Sequence, residues 1–198
     1  GSQEEEQEFL GEITALYTVA LFAMYALIAV AFRSYWLPLL VMTAIPFGFM
    51  GAIYGHLLFA TPLALFSYFG IGAAAGVVVN DNLVLIDYVG RLRREGLSPM
   101  KALLDAGVNR FRPILLTTVT TFVGLLPIMA ERSTNAQFLK PAVLSLSFGV
   151  LFALFVTLLL VPALYLVGED CRRLLDRMKR RVRPTQPESE RGREVLAN

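Results

Sequence analysis

Five long apolar runs constrain this chain more than any other feature. They fall at about 13–32, 36–60, 63–89, 113–130 and 141–167. A helix needs about 20 apolar residues to cross the hydrocarbon core of a bilayer, and each run is close to that length. The expected fold is therefore all-α: a polytopic helical membrane protein with about five transmembrane helices. Composition agrees. Of 198 residues, 56% are hydrophobic and 17% charged, against about a quarter charged in soluble domains. The leading segment is acidic, which excludes a basic-headed signal peptide. The single cysteine, Cys171, excludes a disulfide framework within the chain. It reads as a free thiol facing a reducing cytoplasm, with juxtamembrane palmitoylation the alternative.

Loop charge sets the expected orientation. The segment between the third and fourth runs carries Arg91, Arg93, Arg94, Lys101, Arg110 and Arg112 against Glu95 and Asp105. The stretch "CRRLLDRMKRRVR" after the fifth run is equally basic, and Arg33 marks the short turn between the first two. The opposite loops, "LLFATP" and "ERSTNAQFLK", are nearly neutral. With five spans all three basic places fall on one side, expected to be cytoplasmic. They read as membrane-flanking bases, with no nucleic acid implied. Residues 1–12 form an acidic lead-in outside the membrane. A chain that starts outside with no signal segment implies that it is the tail end of something longer. Residues 98–108 fit a short helix along the cytoplasmic face, with Ser98 as N-cap, Pro99 at the first helical position and an apolar stripe of Met100, Leu103, Leu104 and Val108. Residues 168–198 form a basic cytoplasmic tail, disordered after about 183.

The third run raises a chemical question. It reads "GVVVNDNLVLIDYV" and sets Asn80, Asp81 and Asn82 in its middle. Insertion scales place a central Asp at about +2.5 to +3.5 kcal/mol, and a functional role is the default hypothesis for such a residue. Gly72, Gly76 and Asn80 share a helix face, with Ala73 beside it. Small residues at this spacing admit a close neighbour, so this face is expected to look toward other helices. Asp81 lies about 100° round the helix. Sheltered there, it can take up a proton from one side and release it to the other. The alternative is an inter-helix clamp with Asp81 permanently protonated or bonded to the amides. Asp87, four residues before Arg91, reads as an interfacial ion pair.

The fourth run offers a partner face. Thr117, Thr121 and Gly124 fall at i, i+4 and i+7, and Thr118 and Thr120 widen the polar sector. Asp81 lies roughly 9 Å in from Asp87, and Thr117 roughly 8 Å in from Arg112, so the clusters meet at one depth if the helices are neighbours. Back-bonding to their own helix is the alternative role for the threonines. Arg112 reads as a headgroup anchor, whereas Arg110 has the reach to offset an acid. His56, the only histidine, is expected at the outer interface.

The sequence "GVVVNDNLVLIDYV", continued through "RFRPILLTTVTTFVGLLP" and "FGVLFALFVTLLLVPALY", resembles the C-terminal membrane portion of the resistance-nodulation-division (RND) efflux transporters, hydrophobe/amphiphile exporter type. The preceding "AFRSYWLPLLVMTAIPFGFMGAIYGHLLF" fits as well, and the resemblance covers about residues 10–170. It implies that the five spans correspond to helices eight to twelve of twelve. It implies a proton-driven exporter in the bacterial inner membrane, with the N-terminus periplasmic and the C-terminus cytoplasmic. The complete transporter would include an N-terminal half on the same or a separate chain and form a homotrimer. A periplasmic adaptor and an outer-membrane channel would join it, and the proton would be the coupling ion with no cofactor. The implied relay positions are Asn80, Asp81, Thr117 and Arg110, with Asn82 and Thr121 supporting the polar face. The well-studied drug pumps carry lysine where this chain has Asn80, so the relay chemistry of this subgroup is expected to differ.

Two other classes compete. One is a non-transporting structural or regulatory membrane subunit derived from such a pump. The other is an intramembrane aspartyl enzyme using Asp81 and Asp87. Those two lie about 9 Å apart along one helix, too far to share a proton, so no enzyme is expected.

Overall fold

Six helices follow one another in the computed structural model, which describes residues 2–182: α1 (Ser2–Phe32), α2 (Trp36–Met42), α3 (Ile45–Leu58), α4 (Leu65–Arg94), α5 (Pro99–Ala130) and α6 (Thr134–Val182). Together α2 and α3 make one crossing, so five segments are long and apolar enough to span a membrane. No strand occurs among the described residues. The chain is an all-α polytopic membrane protein.

Small residues decide how the helices meet. α3, α4 and α5 all pack on α6. On α3, Gly48, Gly51, Ala52 and Gly55 are buried along one face. A Cβ added at Gly51 would lie 2.5 Å from the carbonyl oxygen of Phe148, so only glycine fits there. On α6, Gly149 faces Gly48 and Ala74 in the same way. Lipid tails are as apolar as Leu, so close backbone approach and van der Waals contact hold such helices together. Larger side chains fill in at each end. Val79 and Ile86 of α4 meet Ile28, Leu40, Val41 and Val161 at one end. Met129 of α5 meets Val143 and Leu144 of α6 at the other. α1 is peripheral: Leu16, Val19, Phe22, Leu27 and Val30 are all more than two-thirds exposed. It is tied to α4 by the Tyr17 hydroxyl, which donates to the Tyr68 carbonyl, and by edge contact of Phe9 with Phe69.

Several boundaries differ from the sequence expectation. Residues 2–12 are helical and form the first turns of α1. The second span is broken at Thr43–Ala44, where Pro46 lacks the N–H that would have bonded to Met42. The helix expected at 98–108 starts where its cap places it, with Ser98 Oγ accepting from the Lys101 N–H at 3.4 Å. It does not stop, however, and continues through Pro113 to Ala130 as one helix. In its first turns Ala102, Leu103 and Ala106 pack on Leu85 and Val89 of α4, while Met100, Leu104 and Val108 stay exposed. α6 likewise continues past residue 167 into the basic stretch. The disordered tail expected after about 183 lies outside the described residues.

Candidate functional site

The three polar residues in the middle of α4 point three ways. Asn82 faces inward and is fully buried. Its Nδ2 donates to the carbonyl oxygen of Val41 at 3.1 Å, beside the α2–α3 break, where carbonyls lose their helical partners. Asn82 therefore ties α4 to that break, on a different face from Asn80. Asn80 points the other way and is exposed. The expected inward stripe of Gly72, Gly76 and Asn80 is corrected. Only Gly72 is packed, against Tyr17, and Gly76 has open space before it. The inward face is instead Ala74, Val78, Asn82, Leu85 and Val89, because those residues meet α3, α5 and α6.

Asp81 stands between the two directions, half-buried. It takes no part in the ion pairs seen among the described residues, which join Asp87 to Arg91, Arg93 to Glu169 and Arg173 to Glu169. Asp87 pairs with Arg91 at 3.2 Å, as their spacing predicts. Asp81 lies on the flank of α4 nearer α5, since Leu85 and Tyr88, four and seven residues on, both pack toward α5. Depth follows from Tyr88. Its hydroxyl accepts from Asn109 Nδ2 at 3.5 Å, and the Arg110 guanidinium lies over its ring, 5.1 Å from the centre. Seven residues outward from there, along each of two antiparallel helices, is about 10 Å. That brings Asp81 and Thr117 to the same level.

The α5 threonines divide. Thr117 is exposed and its Oγ1 donates back to the carbonyls of Pro113 and Ile114, at 3.2 and 2.9 Å. Thr120 back-bonds in the same way. Thr118 turns inward, buried and without a hydrogen-bond partner among the described residues. Thr121 is half-buried one turn beyond Thr117. Asp81 on α4 and Thr117 on α5 thus lie at one level, with Thr121 a turn beyond and Arg110 stacked on Tyr88 below. No group of three His, Cys, Asp or Glu side chains converges among the described residues.

Two residues carry more than their sequence context suggested. Tyr88 is the stacking platform for both Arg110 and Arg91, the latter 5.6 Å from the ring centre. Its position seven residues from Asp81, beside two basic clusters, is the only signal for it. His56 is not at the interface but buried. Its Nδ1 donates to the Ala52 carbonyl at 2.9 Å and its Nε2 accepts from the Ser67 hydroxyl at 2.9 Å. Ser67 Oγ in turn accepts from the Ala64 N–H at the start of α4. A carbonyl can only accept, so this network places the neutral ring's proton on Nδ1.

This arrangement of helices has known counterparts. The AcrB/AcrD/AcrF family matches residues 1–169. The chain belongs to that family. It is 30% identical over 173 residues to multidrug resistance protein MdtC of Proteus mirabilis (strain HI4320), covering 87% of this chain and 17% of that protein. It is 31% identical over 159 residues to multidrug resistance protein MdtC of Pantoea ananatis (strain AJ13355), covering 80% and 16%. The same fold occurs in two crystal forms of a heavy metal efflux pump. One has a TM-score of 0.74 at 24% identity over 86% of this chain and 17% of that one. The other has 0.77 at 25% identity over 85% and 17%. The chain thus spans about a sixth of the length of the AcrB/AcrD/AcrF relatives it matches.

Proposed function

We propose that this chain supplies part of the membrane machinery of a proton-driven RND efflux transporter. It contributes one wall of the proton relay. In this reading Asp81 is the titrating group. Thr117 and Thr121 are the hydroxyls that orient it, Asn80 faces the missing partner, and Arg110, held by Tyr88, sets the potential below. The observation that carries the reading is Asp81 itself, half-buried in the middle of α4 and outside the ion pairs seen among the described residues. A half-buried, unpaired carboxyl level with Thr117 is costly toward lipid, and it becomes sensible once helices outside this chain close over it. An N-terminal half with its own acidic residues is that cover.

The basic end of the bundle is then cytoplasmic, and the start of α1 faces the periplasm, by the bias that places Lys and Arg inside. The complete assembly is a homotrimer in the bacterial inner membrane, joined to a periplasmic adaptor and an outer-membrane channel. The relatives named for multidrug resistance support drug-like or amphiphilic cargo.

Transport by the complete protein, driven by an imposed proton gradient, tests this. Asp81→Asn is expected to reduce gradient-driven efflux to the level of an inactive control. Asp81→Glu is expected to retain part of it. The Thr117 hydroxyl gives its proton to its own helix, so in this reading its oxygen accepts from the protonated carboxyl, and Thr117→Ala should slow efflux by roughly threefold, the worth of one such bond. Full transport by Asp81→Asn would reduce Asp81 to a packing residue.

A further inference from the structure

We infer that the basic end of the bundle holds a binding site for the phosphate headgroup of an anionic lipid, in the cavity between the end of α1 and α4. The cavity encloses about 600 Å³, roughly twenty waters' share of liquid volume and far more than a lone phosphate fills. Arg33, Arg91 and Arg94 line it, with Asp87 the one acid. Asp87 is already paired with Arg91, which leaves Arg33 and Arg94 to set the sign of the site. The remaining wall is apolar: Phe32, Leu83 and Val84. Cations at the mouth and apolar walls behind suit an amphiphile whose tail continues into the bilayer along the exposed face of α1, past Val30 and Leu27. Basic pockets between helix ends are a recognised setting for anionic headgroups.

Arg33 also holds a left-handed backbone position, as Ala60 does just past the end of α3. Arg33 follows the last residue of α1 and has φ of +50°, the left-handed region that glycine fills most readily after a helix. Its turn is closed by Ser34 N–H donating to the Ala29 carbonyl at 3.2 Å. A side chain there is locally unfavourable, yet this chain sets a long cation at that point, where the cavity opens. Locally, glycine would serve the turn better; the guanidinium serves the cavity. This also yields a clean variant, because Arg33→Gly removes the charge and relieves the turn.

The experiment uses the complete protein in vesicles with a trace of photoreactive phosphatidylglycerol. Wild type is expected to be labelled on peptides spanning residues 31–33 and 83–94. Arg33→Gly combined with Arg94→Gln should reduce that labelling by roughly thirtyfold, the loss expected of two arginines beside an anionic headgroup. Excess phosphatidylglycerol should compete, whereas phosphatidylcholine of the same chains and inorganic phosphate should not. Equal labelling of the double variant, labelling confined to other segments, or competition by phosphatidylcholine would overturn the proposal. Displacement by inorganic phosphate alone would assign the site to a free anion and overturn the lipid assignment.

Discussion

At the scale of single residues, the chain uses buried polar side chains to repair its own backbone. Asn82 serves the α2–α3 break, and His56 with Ser67 serves the start of α4. Asn82→Ala should therefore lower stability by about 1–2 kcal/mol, measured by unfolding in mixed micelles. His56→Phe should cost about 1–3 kcal/mol in the same assay by stranding Ser67 and the Ala52 carbonyl. An interfacial histidine would tolerate the change. The sequence made Asn80, Asp81 and Asn82 visible as a group but not their roles. Helical periodicity gives the angles between side chains, and the absolute direction depends on where α3, α5 and α6 stand. His56 was misplaced for a related reason. Its partner Ser67 lies beyond a loop, and nothing local signals that the loop folds α4 back onto the end of α3.

At the scale of elements, hydropathy located every crossing, because runs of about 20 apolar residues have few uses other than spanning a bilayer. The Ser98 cap and the Asp87–Arg91 pair were readable too, since both depend on spacing within one helix. Continuity was not. Pro113 read as a boundary, yet α5 passes through it, as membrane helices allow when neighbours and hydroxyls accommodate the freed carbonyl. Pro113→Ala is accordingly expected to leave helix content by circular dichroism unchanged. Packing makes the opposite prediction at Gly51. Gly51→Leu drives a side chain into Phe148 and Phe152 of α6, and should cost about 1–3 kcal/mol or more. Loss of the α3–α6 contact would appear as early unfolding of the bundle.

For the molecule as a whole, two faces of α4 have different futures. The inner face is finished: it packs on α3, α5 and α6 and satisfies the α2–α3 break. The outer face is unfinished, with Gly76 and Asn80 exposed and Asp81 half-covered. In a chain that spans about a sixth of its relatives' length, this is where further helices would bring the rest of a relay. The account's central claim is that the Asp81 carboxyl changes protonation as the complete transporter works. Infrared difference spectroscopy of the reconstituted protein, with the proton gradient switched on and off, measures this directly. The account predicts a protonated-carboxyl band that responds to the gradient in wild type and is missing from Asp81→Asn. An identical difference spectrum in Asp81→Asn would contradict it.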